Sequence, residues 1–242
     1  MRPEFKDINC PFIRTVLSAP DAPHWDSTRQ VMQVGDLLQF VRDQPGNGNL
    51  DRVLRYFAVV NHGLGNRAQR LFNHLLGAGG QFSTKLVGSD GDHGGDSRIY
   101  NPETREFDPA EFAAFIKFST DGHTMGVSEL GAAIQDFNHR HAGRPSDALQ
   151  SAGEFALLAV LIGNAEGTIR VADMRLLFEA NQFPEGARAN LGSRTAEQWF
   201  TLTNRISEAI AAAAARNGQQ AGVMPADRLR EGLRSVFGPL AG

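Results

Sequence analysis

A chain of 242 residues with 41% hydrophobic content is long enough to bury one substantial core or two smaller ones. Its formal net charge of -3 gives no electrostatic case for a nucleic-acid partner. A single cysteine excludes an internal disulfide framework and any cysteine-rich zinc knuckle, and a free thiol is at home in a reducing compartment. Arg2, Glu4, Lys6 and Asp7 are followed by no long apolar segment, so no secretory signal is expected. No window approaches the roughly eighteen uncharged apolar residues of a membrane span. The expectation is a cytoplasmic protein with no membrane partner.

In chain order, the first motif is Asn9-Cys10-Pro11-Phe12-Ile13, which holds the only cysteine. Pro11 suits the first position of a helix, where its fixed φ and missing N–H cost nothing. Cys10 would then be the cap residue, its sulfur facing the unpaired N–H groups of the first turn, a setting that favours a thiolate. A lone cysteine also serves as a small buried hydrophobe. Residues 18–30 read as a loop packing one or two aromatics. Val34–Phe40 starts a short helix closed by Pro45–Asn49, and Asn49 can cap the next helix, through Leu50, Val53, Leu54 and Phe57. Another helical segment is expected from Arg67 to Leu76.

Gly88–Arg98 is the most polar and glycine-rich stretch, and its three aspartates need water, a cation or arginine around them. It reads either as a surface loop or as an oxygen-lined site for magnesium or calcium. Asp108-Pro109-Ala110-Glu111 is a helix start, and Phe112 and Phe115 lie on an aromatic-rich face. Further helices are expected over Val127–His141, Asp147–Ile162, Ala172–Phe178, Thr195–Arg216 and Pro225–Val236, with Thr168–Val171 extended. Asp121–Gly126 and Gly163–Ile169 invite comparison with EF-hand loops, and neither satisfies the ligand pattern, so both are expected to be turns. With no βαβ alternation the class is mainly α, a single domain over residues 1–242 in which 195–242 form a C-terminal helical extension.

Glu154 stands out because no other residue ionises for eleven positions after it, in a helix hydrophobic enough to be buried. A carboxylate there must find a partner, reach solvent at the helix end or shift its pKa upward; lining a cavity, it could exchange protons near neutral pH.

In this order the pieces resemble the heme-thiolate peroxidase family, the chloroperoxidases and unspecific peroxygenases. Asn9-Cys10-Pro11 is similar to the family's Pro-Cys-Pro ligand motif, and Asp90-Gly91-Asp92 to its Glu-Gly-Asp or Glu-His-Asp motif, with Gly94 at the serine position and Ser97 as its substitute. Arg105–Phe112 resembles the lead into a following helix, Gly153-Glu154-Phe155 the catalytic glutamate segment, and Leu176–Gly186 the later aromatic helix with its Pro turn. The resemblance spans roughly residues 8–190.

It implies heme b ligated by the thiolate of Cys10, with Pro11, Phe12 and Ile13 around the ligand and Phe112 and Phe115 as apolar wall. It also implies a Mg2+ ion (or Ca2+ or Mn2+) at Asp90, Gly91, Gly94 and Ser97, and Glu154 as acid–base catalyst acting on hydrogen peroxide beside a small organic substrate. The chain departs from the family in carrying Asn9 for the first proline, in lacking the Ala-Asn-His-Gly that follows the ligand, and in having Gly91 where a distal histidine stands. His93 or Arg144 is left as the partner of Glu154. The alternatives are a non-catalytic heme-binding or sensor relative, and a helical interaction protein with a divalent-metal loop. The Ala209–Ala215 face is plain enough to form a homodimer.

Overall fold

Pro11 does open a helix, and the chain from there is mainly α-helical with two small antiparallel sheets. The structure is a computed structural model that describes residues 5, 7–8, 10–61, 64, 80–84, 99–101, 104, 106–140 and 145–219. In order, the elements are α1 (Pro11–Ser18), β1 (Trp25–Asp26), β2 (Val31–Gln33), α2 (Val34–Arg42), α3 (Asp51–Tyr56), which runs into a π-helical turn (Phe57–Asn61), and β3 (Gln81–Ser83). Then follow α4 (Pro109–Ile116), β4 (Thr124–Met125), α5 (Val127–Arg140), α6 (Pro145–Ile162), β5 (Ile169–Arg170) and α7 (Val171–Arg175), which runs into a second π-helical turn (Leu176–Ala180). α8 (Ala187–Ser193) and α9 (Ala196–Arg216) complete them. The helices expected at Arg67–Leu76 and Pro225–Val236 and the loop 88–98 lie outside the described residues. Among the described residues no helix is long and apolar enough to cross a membrane.

The chain divides into two compact units, one of Met1–His93, Ser97–Pro109 and Ala172–Ala196, the other of Gly94–Asp96, Ala110–Val171 and Glu197–Gly242. In the first, β2 is the middle strand of three, pairing Met32 with Trp25 on one side and with Phe82 on the other. The stretch 18–30, expected as loop, therefore contains one arm of a hairpin. Its turn is made by Asp26, whose carboxylate accepts the N–H groups of Thr28 and Arg29, and by Gln30 in the left-handed region (φ 55°).

β2 leads directly into α2, which buries Leu37, Leu38, Phe40 and Val41. The loop after α2 meets the end of α8 backbone to backbone: Gly48 N–H donates to the Gly192 carbonyl at 2.7 Å. A Cβ on Gly48 would stand 2.2 Å from the carbonyl oxygen of Arg194, which is why glycine occupies that position. Asn49 does not cap α3, as the sequence suggests. Its side chain accepts the Ala196 N–H at 2.7 Å and so caps α9, while α3 starts from Leu50 with no side-chain cap.

In the second unit α5 and α6 pack together, and β4 pairs with β5 through Thr124–Arg170 and Met125–Ile169. α9 buries Trp199, Leu202, Ile206, Ile210 and Ala213, the three-and-four spacing of an amphipathic helix. The alanine tract offered to a second copy by the sequence is used within the unit at Ala209, since a Cβ built on Gly131 of α5 would fall 2.4 Å from the Ala209 Cβ. Gly131→Ala should cost the overpacking term, partly offset by better helix propensity, for a net loss of about 1–2 kcal/mol. Urea denaturation followed by circular dichroism would measure it, and an unchanged midpoint would disprove the close crossing of α5 and α9.

Candidate functional site

The sequence places Cys10 at the head of α1, and the backbone there agrees. Cys10 is extended (φ -74°, ψ 116°), Pro11 takes the first helical position, and Arg14 N–H donates to the Cys10 carbonyl at 3.1 Å to close the first turn. Pro11 has no N–H to leave unpaired, so the groups without an acceptor inside the helix are the N–H of Phe12 and of Ile13. All seven residues from Pro11 to Leu17 are buried, whereas Cys10 is half-buried and its thiol is in no disulfide. The sequence expects its sulfur to face the N–H groups of the first turn, but the side chain makes no capping hydrogen bond there.

Two polar side chains are enclosed with α1. Thr15 satisfies its hydroxyl on the Pro11 carbonyl at 2.8 Å. Arg14 is wholly buried, and its Nε donates to the carbonyl of Ile8, two residues before Cys10. Its guanidinium lies over the ring of Tyr100, 4.1 Å from the centroid, a cation–π contact strengthened by exclusion of water. The Tyr100 hydroxyl donates in turn to the carbonyl of Phe178 at 3.0 Å. Phe178 belongs to the second π-helical turn, a widened ladder of a kind frequent at functional sites, and this turn packs on α1. Arg14 and Tyr100 were not singled out by the sequence reading. The signal was present: Arg14 is the one charge in Pro11–Leu17, as Glu154 is in Ser151–Gly163.

The remaining candidates that can be located fall in the second unit. Glu154 on α6 is half-exposed, and every other residue from Ser151 to Gly163 is buried. Within this apolar run the one carboxylate is thus left part-exposed rather than enclosed. The carbonyl of Gly153, just before it, accepts the indole N–H of the buried Trp199 at 2.9 Å. Phe112 and Phe115 are wholly buried, and Phe115 is stacked on Phe155 (4.8 Å, 11°) and edge-on to Phe137 (5.9 Å, 87°). Such ring pairs contribute about 0.5–1.5 kcal/mol each beyond their burial, so both phenylalanines have a full structural role in the core.

His93, Arg144, Asp90, Gly91, Gly94 and Ser97 lie outside the described residues. Among the described residues no three His, Cys, Asp or Glu side chains come together to hold a metal ion.

The turns that resemble EF-hand loops are closed by their own hydrogen bonds. Asp121 accepts the N–H groups of Thr124 and His123 (both 2.7 Å) and the hydroxyls of Thr124 and Ser119. These bonds, led by that from the Thr124 N–H, hold its carboxyl well below the usual range. Partial burial pushes the Glu129 carboxyl up, but the Thr120 hydroxyl and the N–H groups of Gly126 and Thr120 outweigh it, leaving that carboxyl below its ordinary value as well. Glu129 at the third position of α5 bonding back to Gly126 is half of a capping box. The oxygens that a cation would need are already engaged.

The sequence matches no protein-family model, and a search of the curated proteins returned no match.

A carboxylate whose pKa is lowered by folding adds stability that is present above its unfolded pKa and is lost as pH falls through the folded value. Glu129→Gln should therefore destabilise the chain near neutral pH, and the difference from the wild type should shrink below the ordinary carboxylate range of about pH 4. Denaturant midpoints at two pH values check this; a difference independent of pH would contradict it.

Proposed function

We propose that the chain is a heme-thiolate peroxidase or peroxygenase that uses hydrogen peroxide to oxidise or oxygenate small organic molecules. The reading is carried by the setting of Cys10, a half-buried residue at the head of α1 that is in no disulfide, with Pro11 at the first helical position and Pro11–Leu17 buried. This placement suits a thiolate ligand: Cys10 stands at the positive end of the helix, although its side chain makes no capping hydrogen bond to the first turn. Pro11 contributes by fixing the first turn, so that the sulfur is carried on a backbone with little freedom. When bound, heme b supplies an iron whose thiolate ligation favours heterolysis of the peroxide O–O bond.

The protein's own share in the reaction is ligation and proton movement. Glu154 takes a proton from hydrogen peroxide and returns it to the departing oxygen, work that requires access to solvent and substrate. Its half-exposed place in an otherwise buried stretch supports this role. Phe115 contributes from behind, through its stack on Phe155, which follows Glu154 in sequence, and the buried Phe112 belongs to the same helix α4. In the same reading His93 or Arg144 assists Glu154, and Asp90, Gly91, Gly94 and Ser97 hold Mg2+ or a related divalent ion.

Supplementing the purified protein with hemin and recording the ferrous–carbonyl spectrum tests the proposal. The red-shifted Soret band of thiolate ligation is expected, and Cys10→Ser should abolish it; absence of any Soret band in the wild type would sink the reading. Glu154→Gln should retain heme and slow peroxide-dependent oxidation by about 100-fold. Unchanged turnover would remove Glu154 from the mechanism.

A further inference from the structure

A guanidinium with no exposure to water is among the most expensive side chains to bury, and here it sits in the first turn of a helix, next to like charge. The hydrogen bonds of Arg14 show what it accomplishes. Its backbone N–H holds the carbonyl of Cys10, and its Nε holds the carbonyl of Ile8, so a single residue grips the chain at Cys10 and two residues before it. Side chains of a helix point back toward its N-terminus, which is how a residue one turn inside α1 reaches the segment in front of it. The other side of the grip is anchored too: the guanidinium plane rests on Tyr100, and Tyr100 is tied through its hydroxyl to the π-helical turn at Phe178.

We infer that Arg14 is a positioning residue for Cys10, clamping the segment that leads into α1 so that the sulfur is presented in one orientation. The inference rests on reading Cys10 as the iron ligand, and it adds a residue for which the ligand motif makes no provision. It accounts for arginine specifically. Donation from Nε to one carbonyl while the plane of the group covers a ring needs the rigid guanidinium fork, and a lysine ammonium provides neither the plane nor a donor at that point of the side chain. A ligand atom must be held to within about half an ångström for its function, and residues that lock it from behind achieve this.

Because Cys10 is the only cysteine, carbon-13 labelling of cysteine Cβ gives one resonance that reports the side chain directly. In the heme-free chain the wild type should show a single sharp line. Arg14→Lys should shift that line and broaden or split it, while the amide spectrum of the rest of the chain stays in place. A line unchanged in position and width in folded Arg14→Lys overturns the inference. Should Arg14→Lys fail to fold, Tyr100→Phe, which removes only the hydroxyl anchoring the ring beneath Arg14, carries the test. A smaller displacement of the same line is expected there, and none would overturn the inference.

In hemin-loaded protein, Arg14→Lys should keep its heme and lose most of the red-shifted ferrous–carbonyl band; full retention of that band denies Arg14 any bearing on the ligand. If the wild type takes up no hemin, the functional reading fails by itself, and the carbon-13 comparison still decides whether Arg14 positions Cys10.

Discussion

The buried guanidinium of Arg14 is the constraint from which the first unit is best understood. Enclosing an arginine costs on the order of several kcal/mol unless every donor is used and its face is covered. Meeting that condition draws together parts of the chain far apart in sequence: the carbonyl of Ile8, the ring of Tyr100 and, through Tyr100, the carbonyl of Phe178. The widened turn at Leu176–Ala180 belongs to the same set. Its Phe178 carbonyl has a side-chain partner, so the irregular ladder is supported rather than tolerated. Helix α1 can then be buried from Pro11 to Leu17 with the half-buried Cys10 at its head.

The second unit treats its carboxylates in two ways. Asp121 and Glu129 accept N–H and O–H donors, and their charges serve to close turns and start α5. Glu154 is set differently, as the single half-exposed position in a buried run, on a helix braced by Trp199 at Gly153 and by the stacked rings of Phe155 and Phe115.

What could be read from the sequence divides by the range of the interactions concerned. The start of α1 was legible because proline fixes its own φ, a property local to the residue. α5 and α9 were legible because three-and-four spacing persists over fourteen and twenty-one residues. The strands were not, since two or three residues carry too little alternation to be distinguished from a loop, and one of the two partners of β2, at Phe82, lies fifty positions on from Met32. Asn49 was assigned to the helix beside it because capping is usually local, and the partner that it takes, Ala196, is 147 residues away. α8 was missed for a related reason: seven residues of mixed polarity make no periodic signal, and its end is defined by backbone contacts with Gly46–Leu50.

The candidate site was half legible on the same grounds. Cys10 and Glu154 are conspicuous by rarity, one as the sole thiol and the other as the sole charge in an apolar run. Arg14 is equally a sole charge in an apolar run, yet arginine has a long side chain that usually carries its head to water, so its burial is decided by whether a carbonyl and a ring are waiting. Those partners, Ile8 and Tyr100, are supplied by tertiary structure, and one of them is an aromatic eighty-six positions downstream. A residue such as Cys10 can thus be recognised from its own identity and its immediate neighbours. The residue that grips the chain around it becomes visible only when the fold has brought its contacts together.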